Sequence, residues 1–283
     1  MNLMLKFAMF SCAGLTAFGM TGCKITECTE NLPDGGTTKK ENCLQLEPTI
    51  EYREQAERTG AQAWTSGRSV TIHNGNGSLE VALGSAGDER VQFAGTAFTR
   101  ETDNAEGREK AKNRLIAIAT PAFGGASDIT LDAPGGGVDG YHLKVFLPPN
   151  FDAALTVRTD NGKTTIHDPA GATSTNVTSH EILFNNMRRT VNLTSKVGDI
   201  TGYGVPSGPG NVINAELGDV TLSLGAGNLA ITATSESGVV TFPAGWTSMV
   251  SSDKRSGSAT LGDGTGALAV TGGGGSNITF HAQ

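Results

Sequence analysis

The chain has 283 residues, with 28 acidic and 21 basic side chains and a formal net charge of −7. An acidic balance with no Lys/Arg block argues against nucleic acid as a partner and against electrostatic adhesion to anionic lipid. Glycine is the commonest residue at 39, aromatics make up 6%, and Thr and Ser are abundant; this turn-rich β composition excludes a mainly helical fold.

The N-terminus, MNLMLKFAMFSCAGLTAFGMTGC, carries one cation, Lys6, before apolar and small residues that end at Gly22-Cys23. The run is too short for the ~20 residues of a spanning helix, so residues 1–22 read as a secretory signal that is removed. Met20-Thr21-Gly22-Cys23 resembles the bacterial lipobox, which implies that Cys23 is diacylated and becomes the new N-terminus. Loss of Lys6 takes the formal charge from −7 to −8, and membrane attachment then rests on acyl chains. Lys24 after the lipidated cysteine resembles outer-membrane sorting. The expected location is therefore exported and membrane-anchored, at the outer membrane or cell surface. Cys12 falls in the signal and Cys23 at the anchor, leaving Cys28 and Cys43. An even remainder in an exported chain suggests a disulfide, the alternative being two free thiols.

Residues 23–66 are polar, of mixed charge and without a sustained apolar period, and read as a tether with one turn of helix near Glu51 to Arg58. Residues 67–283 read as one β-repeat domain. Val70-Thr-Ile72 and Leu79-Glu-Val81-Ala-Leu83 alternate on either side of Asn74-Gly-Asn-Gly77, a hairpin-like signal. Alternation returns at Ile129-Thr-Leu131 and Leu143-Lys-Val145. Between them Glu106 to Lys112 favours helix, with Asp103 and Glu106 spaced as a capping box, followed by a strand over Leu115 to Ala119.

The C-terminal half repeats. Turn glycines fall at Gly162, Gly198, Gly218, Gly238 and Gly257, at intervals of 36, 20, 20 and 19, with an unmatched copy through His180 to Phe184 and a last one near Gly274. Apolar pairs precede the glycine (Leu155/Val157, Val191/Leu193, Ile231/Ala233), with Val212 and Ile213 one step out of phase. Others follow it (Val220/Leu222, Val240/Phe242, Ala259/Leu261). Period-2 runs on both sides of a glycine mean two strands joined by a turn or corner. The fold class expected is all-β, a β-solenoid or single-stranded β-helix-like stack with rungs of about 20 residues, the alternative being a β-sandwich.

V-x-L-x-x-x-x-G-D-I at about 20-residue spacing, with LPPNFDAALTVRTDNGKTTI leading into it, resembles the bacterial putative-adhesin family of unknown function, whose members share glycine-centred β-repeats. The resemblance covers Tyr141 to Phe280 and implies adhesion or surface display. It carries no catalytic residues to this chain.

Rungs one repeat apart would bring Asp199 and Asp219 to ~5 Å, where a cation could bridge them or both could face water. The Gly-Gly-x-Gly-x-Asp nonapeptide of calcium-binding repeats is missing, and Lys163, Val239 and Ser258 take the equivalent positions, so Asp199 and Asp219 are weak metal candidates. Two residues before the glycine stand Asp160, Lys196, Glu216, Glu236 and Arg255, a mixed-charge solvated column. A polysaccharide-cleaving site could draw on Lys196, Asp199, Glu216 and Asp219. His180-Glu181 begins a zinc-protease motif, but Phe184 stands where the second His belongs. The histidines (His73, His142, His167, His180, His281) show no short ligand spacing, and no Gly-x-Ser-x-Gly elbow occurs. Trp64, Trp246 and Tyr203 could stack on sugars or simply pack. The expectation is a lipid-anchored, non-catalytic envelope protein without a cofactor, serving adhesion, surface display or envelope structure. Its partner would be an envelope or extracellular protein or a glycan; the alternative is a polysaccharide lyase or hydrolase.

Overall fold

A computed structural model describes residues 23–31, 37–46, 48–167, 174–186, 190–204, 208–225 and 227–283, with side chains from residue 48 onward. The expected signal, residues 1–22, lies outside them, and the modification of Cys23 and the Cys28–Cys43 disulfide concern side chains outside the description. The chain divides into two compact units: residues through Gln55 with Ala97–Ile118 and Gly137–Asp139, and Ala56–Thr96 with Ala119–Gly136 and Gly140–Gln283.

In chain order the elements begin with β1 (Cys23–Asn31), β2 (Thr37–Leu46), β3 (Thr49–Arg53), β4 (Arg58–Ala63), β5 (Val70–Asn74), β6 (Leu79–Leu83) and β7 (Arg90–Thr102). The helix α1 (Ala105–Ala117) follows, then β8 (Ala122–Gly124), β9 (Ile129–Ala133) and β10 (Asp139–Leu147). The repeat region supplies β11 (Ala154–Thr159), β12 (Lys163–His167), β13 (Ser174–Ser179), β14 (Glu181–Asn185), β15 (Thr190–Ser195), β16 (Ile200–Tyr203), β17 (Asn211–Ala215) and β18 (Val220–Leu224). The chain closes with β19 (Leu229–Ser235), β20 (Val240–Thr241), β21 (Thr247–Val250), β22 (Ser256–Leu261), β23 (Gly266–Gly272) and β24 (Ile278–Ala282). The expected all-β class holds, and the described residues of 23–66 include four strands.

In the first unit β1 and β2 pair antiparallel, with Thr26 opposite Cys43 and Cys28 opposite Lys40. There β3 pairs antiparallel with the end of β7, from Thr49↔Thr102 to Arg53↔Phe98, where a turn of helix is expected from sequence. Helix α1 starts at Asn104, whose side chain accepts from the Gly107 N–H at 2.7 Å, one residue later than the expected cap. It runs on through Leu115–Ala117 instead of yielding to a strand. Charge holds it more than an apolar stripe does, since Ile116 is 75% exposed. The buried Glu101 receives Arg114 at 2.9 Å and Lys110 at 3.2 Å, and Arg114 also reaches Asp139 at 3.4 Å. A buried carboxylate needs such partners to offset its desolvation.

The second unit is built from two large sheets whose alternate residues are buried, in a sandwich-like arrangement. The first sheet runs β21-β22-β19-β23-β17-β15-β13-β11-β5-β9-β8, and the second runs β20-β24-β18-β16-β14-β12-β6-β10-β7, with β4 also on β7. Consecutive strands of the repeat alternate between the sheets and pair in parallel, as in Leu193↔Ile213 and Leu183↔Thr201. Leu155, Val157, Leu193, Ile231 and Val270 line the inner side of one sheet, and Val81, Ile182, Phe184, Leu222 and Phe280 that of the other, all at most 1% exposed. Each such side chain contributes about 1.5–3 kcal/mol by leaving water. The expected β5–β6 hairpin does not form. β5 pairs with β9 and β11, and β6 with β10 and β12. The Asn-Gly turn is instead a corner between sheets, braced by the Asn74 amide donating to the Gly77, Ser78 and Tyr141 carbonyls.

The turns stack out of chain order at both ends. β5/β6 sits between β9/β10 and β11/β12, and β23/β24 sits between β17/β18 and β19/β20. Gly257, aligned from sequence with the turn glycines, lies within β22, which is antiparallel to β19. Period-2 alternation around a glycine reads the same in a hairpin strand as in a corner.

At Gly162, Gly198, Gly218 and Gly238 a Cβ would collide with a backbone carbonyl of the neighbouring turn, respectively that of Gly77, His180, Gly198 and Ser276. Gly218 also has φ +135°, and its Cβ would lie 2.5 Å from the Gly198 oxygen. Only glycine meets both demands. Gly218→Val is therefore expected to destabilise the protein by more than about 3 kcal/mol. The check is urea denaturation, in which an unchanged midpoint would remove Gly218 from the stacking contact.

Candidate functional site

The Gly-Asp corners place Asp199 and Asp219 in one column, through the pairs Ile182↔Ile200, Ile200↔Val220 and Val220↔Ile278 of the following residues. Each carboxylate ties its turn to the next. Asp199 Oδ1 accepts the Asp219 N–H at 2.8 Å, Asp219 Oδ1 accepts the Asn277 N–H at 2.7 Å, and Asn277 Oδ1 accepts the Val239 N–H at 3.2 Å. The column continues to Lys163 and Glu181, ion-paired at 2.6 Å. Asn277 occupies the level between Asp219 and Val239, and Ser258 is outside this column.

Three residues before the turn glycine stands a buried hydroxyl that the sequence reading missed: Thr159, Ser195 and Ser235, with Ser179 on the turn that lacks the glycine. Ser179 donates to the Gly162 carbonyl at 2.9 Å and Ser235 to the Ser276 carbonyl at 2.7 Å. Ser/Thr-x-x-Gly was the available signal, broken at Ala215.

On the outer face of the first sheet His73 bridges two aspartates from neighbouring strands. Its Nδ1 lies 2.7 Å from Asp132 Oδ1 and its Nε2 2.9 Å from Asp160 Oδ2, while Arg158 Nε donates to Asp160 Oδ1 at 2.6 Å. Burial works against the imidazolium, but the hydrogen bonds and charges of Asp160 and Asp132 outweigh it and raise the His73 pKa above its ordinary 6.5. Asp160 is also lightly buried, which favours its neutral form, yet His73 and Arg158 hold its pKa below the usual carboxylate value. Charge-assisted bonds of this kind link β9, β5 and the end of β11.

Of the residues that could supply polysaccharide cleavage, Glu216 joins a concavity. A notch of about 400 Å³ is lined by Asn214, Glu216, Thr234, Glu236, Thr271 and Gly272–Gly274. Ala215 and Ser235 are both in register with Gly272, so the glycine run of β23 leaves the notch between the two glutamates. Neither Lys nor Arg lines it. Asp199 and Asp219 hold their corners instead.

The aromatic candidates separate. Trp64 is 4% exposed and packs on Phe151 at 5.6 Å between centroids. Trp246 lies 6.1 Å from Phe280, which stacks on Phe242 at 4.9 Å. Tyr203 is 45% exposed on the outer face of the second sheet. There Thr201, Thr221, Thr279 and Thr241 form one in-register column, and Tyr203, Ser223 and His281 form the next.

No family model matches this sequence, and no curated protein matches it. Among solved structures it is similar to one described as a putative cell adhesion protein from Clostridium sporogenes, with 12% identity, a TM-score of 0.47, and coverage of 80% of this chain and 100% of the other. It is also similar to one described as a putative adhesin from Bacteroides fragilis, with 10% identity, a TM-score of 0.32, and coverage of 80% and 98%. At these scores neither likeness bears on function, which is argued from the chain's own residues.

Two outcomes follow from the geometry. Because the folded pKa of His73 is raised, its contribution to stability is full below about pH 6.5 and is lost as pH rises through the folded value. His73→Gln is expected to flatten that loss, measured as urea midpoints at pH 5.5 and 8; parallel curves for both proteins would refute the bridge. Asp219→Ala, which removes two solvated bonds from Asn277 at the corner, is expected to lower the midpoint far less than Gly218→Val.

Proposed function

We propose that this protein is a lipid-anchored, non-catalytic module of the bacterial cell envelope, serving adhesion or surface display, and that its winding is a two-sheeted solenoid with rungs near 20 residues. The observation that carries the reading is the repeated presentation of polar side chains in register on the outer faces of two large sheets. A stack of this kind multiplies one weak contact along its length, as extended repeat surfaces do when they bind. The lipobox resemblance at Met20–Cys23 supports the anchor, and Lys24 supports the outer membrane or cell surface. The notch between Glu216 and Glu236 favours catalysis less, because no cationic side chain lines it to set one carboxylate apart from the other.

Expression of the chain in a heterologous bacterium tests both parts. The intact protein is expected to fractionate with membranes and to raise adherence of the cells to abiotic and cell-coated surfaces. Cys23→Ser is expected to leave the membrane fraction and to lose the added adherence. A variant that still fractionates with lipid would refute the anchor; adherence no greater than that of cells lacking the protein would refute adhesion.

A further inference from the structure

The outer face of the second sheet around β16, β18 and β24 sets two polar columns beside an exposed ring, that of Tyr203. On the first sheet some outward groups are committed to one another: His73 is held by Asp132 and Asp160, and Thr271 Oγ1 donates to Asn214 Oδ1 at 2.8 Å. At the far end of the second sheet Lys144 pairs with Glu80 at 3.4 Å. Between these paired regions the side chains of Thr201, Thr221, Thr279, Tyr203, Ser223 and His281 have no hydrogen-bond or ion-pair partner among the described residues.

The register fixes their arrangement. Thr201↔Thr221↔Thr279 and Tyr203↔Ser223↔His281 are direct cross-strand neighbours, so two columns run side by side with hydroxyl, phenol and imidazole groups repeated every ~4.8 Å. Alternation turns all six outward, and the residues between them, such as Leu222 and Phe280, are buried. These six side chains include no carboxylate, ammonium or guanidinium, and the outward column beside Thr201 and Thr221 is Asp199, Asp219 and Asn277, whose Oδ1 atoms each accept a backbone N–H of the next turn. A nucleic acid or a sulfated glycan would find no Lys or Arg in these columns.

We infer that this face binds an extended neutral polysaccharide lying along the stack, across the strands. It rests on the adhesion reading above and names that reading's ligand class. A pyranose ring offers an apolar face of C–H groups and a rim of hydroxyls. The exposed Tyr203 ring supplies a flat surface for the first, with its OH beside the second. The Thr and Ser hydroxyls both donate and accept, as a sugar hydroxyl requires. Strand spacing is close to the length of one sugar in an extended chain, so successive turns meet successive residues of the polymer. Individually weak contacts then add by repetition.

The test uses the full-length protein in mild detergent, sedimented with microcrystalline cellulose and with chitin. Binding to at least one is expected, reduced roughly tenfold in Tyr203→Ala and abolished in Thr221→Glu, which places a charge in the neighbouring column. Thr194→Glu, on the outer face of the other sheet, is expected to bind as the unaltered protein does. Raising salt from about 0.05 to about 0.5 M is expected to change little, since a neutral ligand releases no counterions. Binding of neither polymer would overturn the inference, as would equal binding by Tyr203→Ala and Thr221→Glu or a steep fall with salt. If displayed protein still raised cell adherence, the adhesion reading would stand while the glycan assignment fell.

Discussion

One close contact organises the second unit: at four of its corners the carbonyl of one turn lies where the Cβ of the next would be. That contact demands glycine at Gly162, Gly198, Gly218 and Gly238, and it draws polar backbone out of water. The buried hydroxyls of Ser179, Ser195 and Ser235 answer the second problem, because a carbonyl left bare inside a protein costs as much as a lost hydrogen bond, while that of Thr159 pairs with the Thr164 hydroxyl. Asp199, Asp219 and Asn277 close the outer side by accepting the next turn's N–H. With the corner fixed in three ways, a strand cannot slip by one residue without turning its buried side chains outward. The in-register outer columns follow from this.

Much of the corner was legible. Val, Ile and Leu at period two located most strands of the repeat, and the spacing of Gly198, Gly218 and Gly238 located the turns. The failures have physical causes. Gly257 imitates a corner because alternation cannot distinguish a parallel neighbour from an antiparallel one. The Asn-Gly turn after β5 resembles a hairpin because the same residues suit any sharp reversal, and only the partners of β5 and β6 tell a reversal from a corner. The strand expected at Leu115–Ala119 lost to α1, whose stability comes from Glu101, Arg114 and Asp139, ion pairs invisible to an apolar pattern.

The site was less legible, because its geometry joins residues far apart in the chain. His73, Asp132 and Asp160 meet only because β5 lies between β9 and β11. Glu216 and Glu236 flank one notch because a later segment separates them. Tyr203 was visible as a residue but not as part of a surface: its neighbours Ser223 and His281 are 20 and 78 positions away and become adjacent only through register. The paired aspartates show the reverse. Their proximity was read correctly, and their use as backbone acceptors needed coordinates.

The interleaving at the two ends has a consequence for how the chain is made. A stacked array usually grows by addition, each new unit docking on the last, so its final segment forms a dispensable end. Here a later segment, β23/β24, is an interior layer, and β19/β20 cannot reach its final neighbours until that segment has been made. During synthesis the β19–β22 portion must wait beside a vacant level, with its apolar edge uncovered. β23/β24 therefore acts as the keystone of the stack, and the layers on either side of it close only once it has docked.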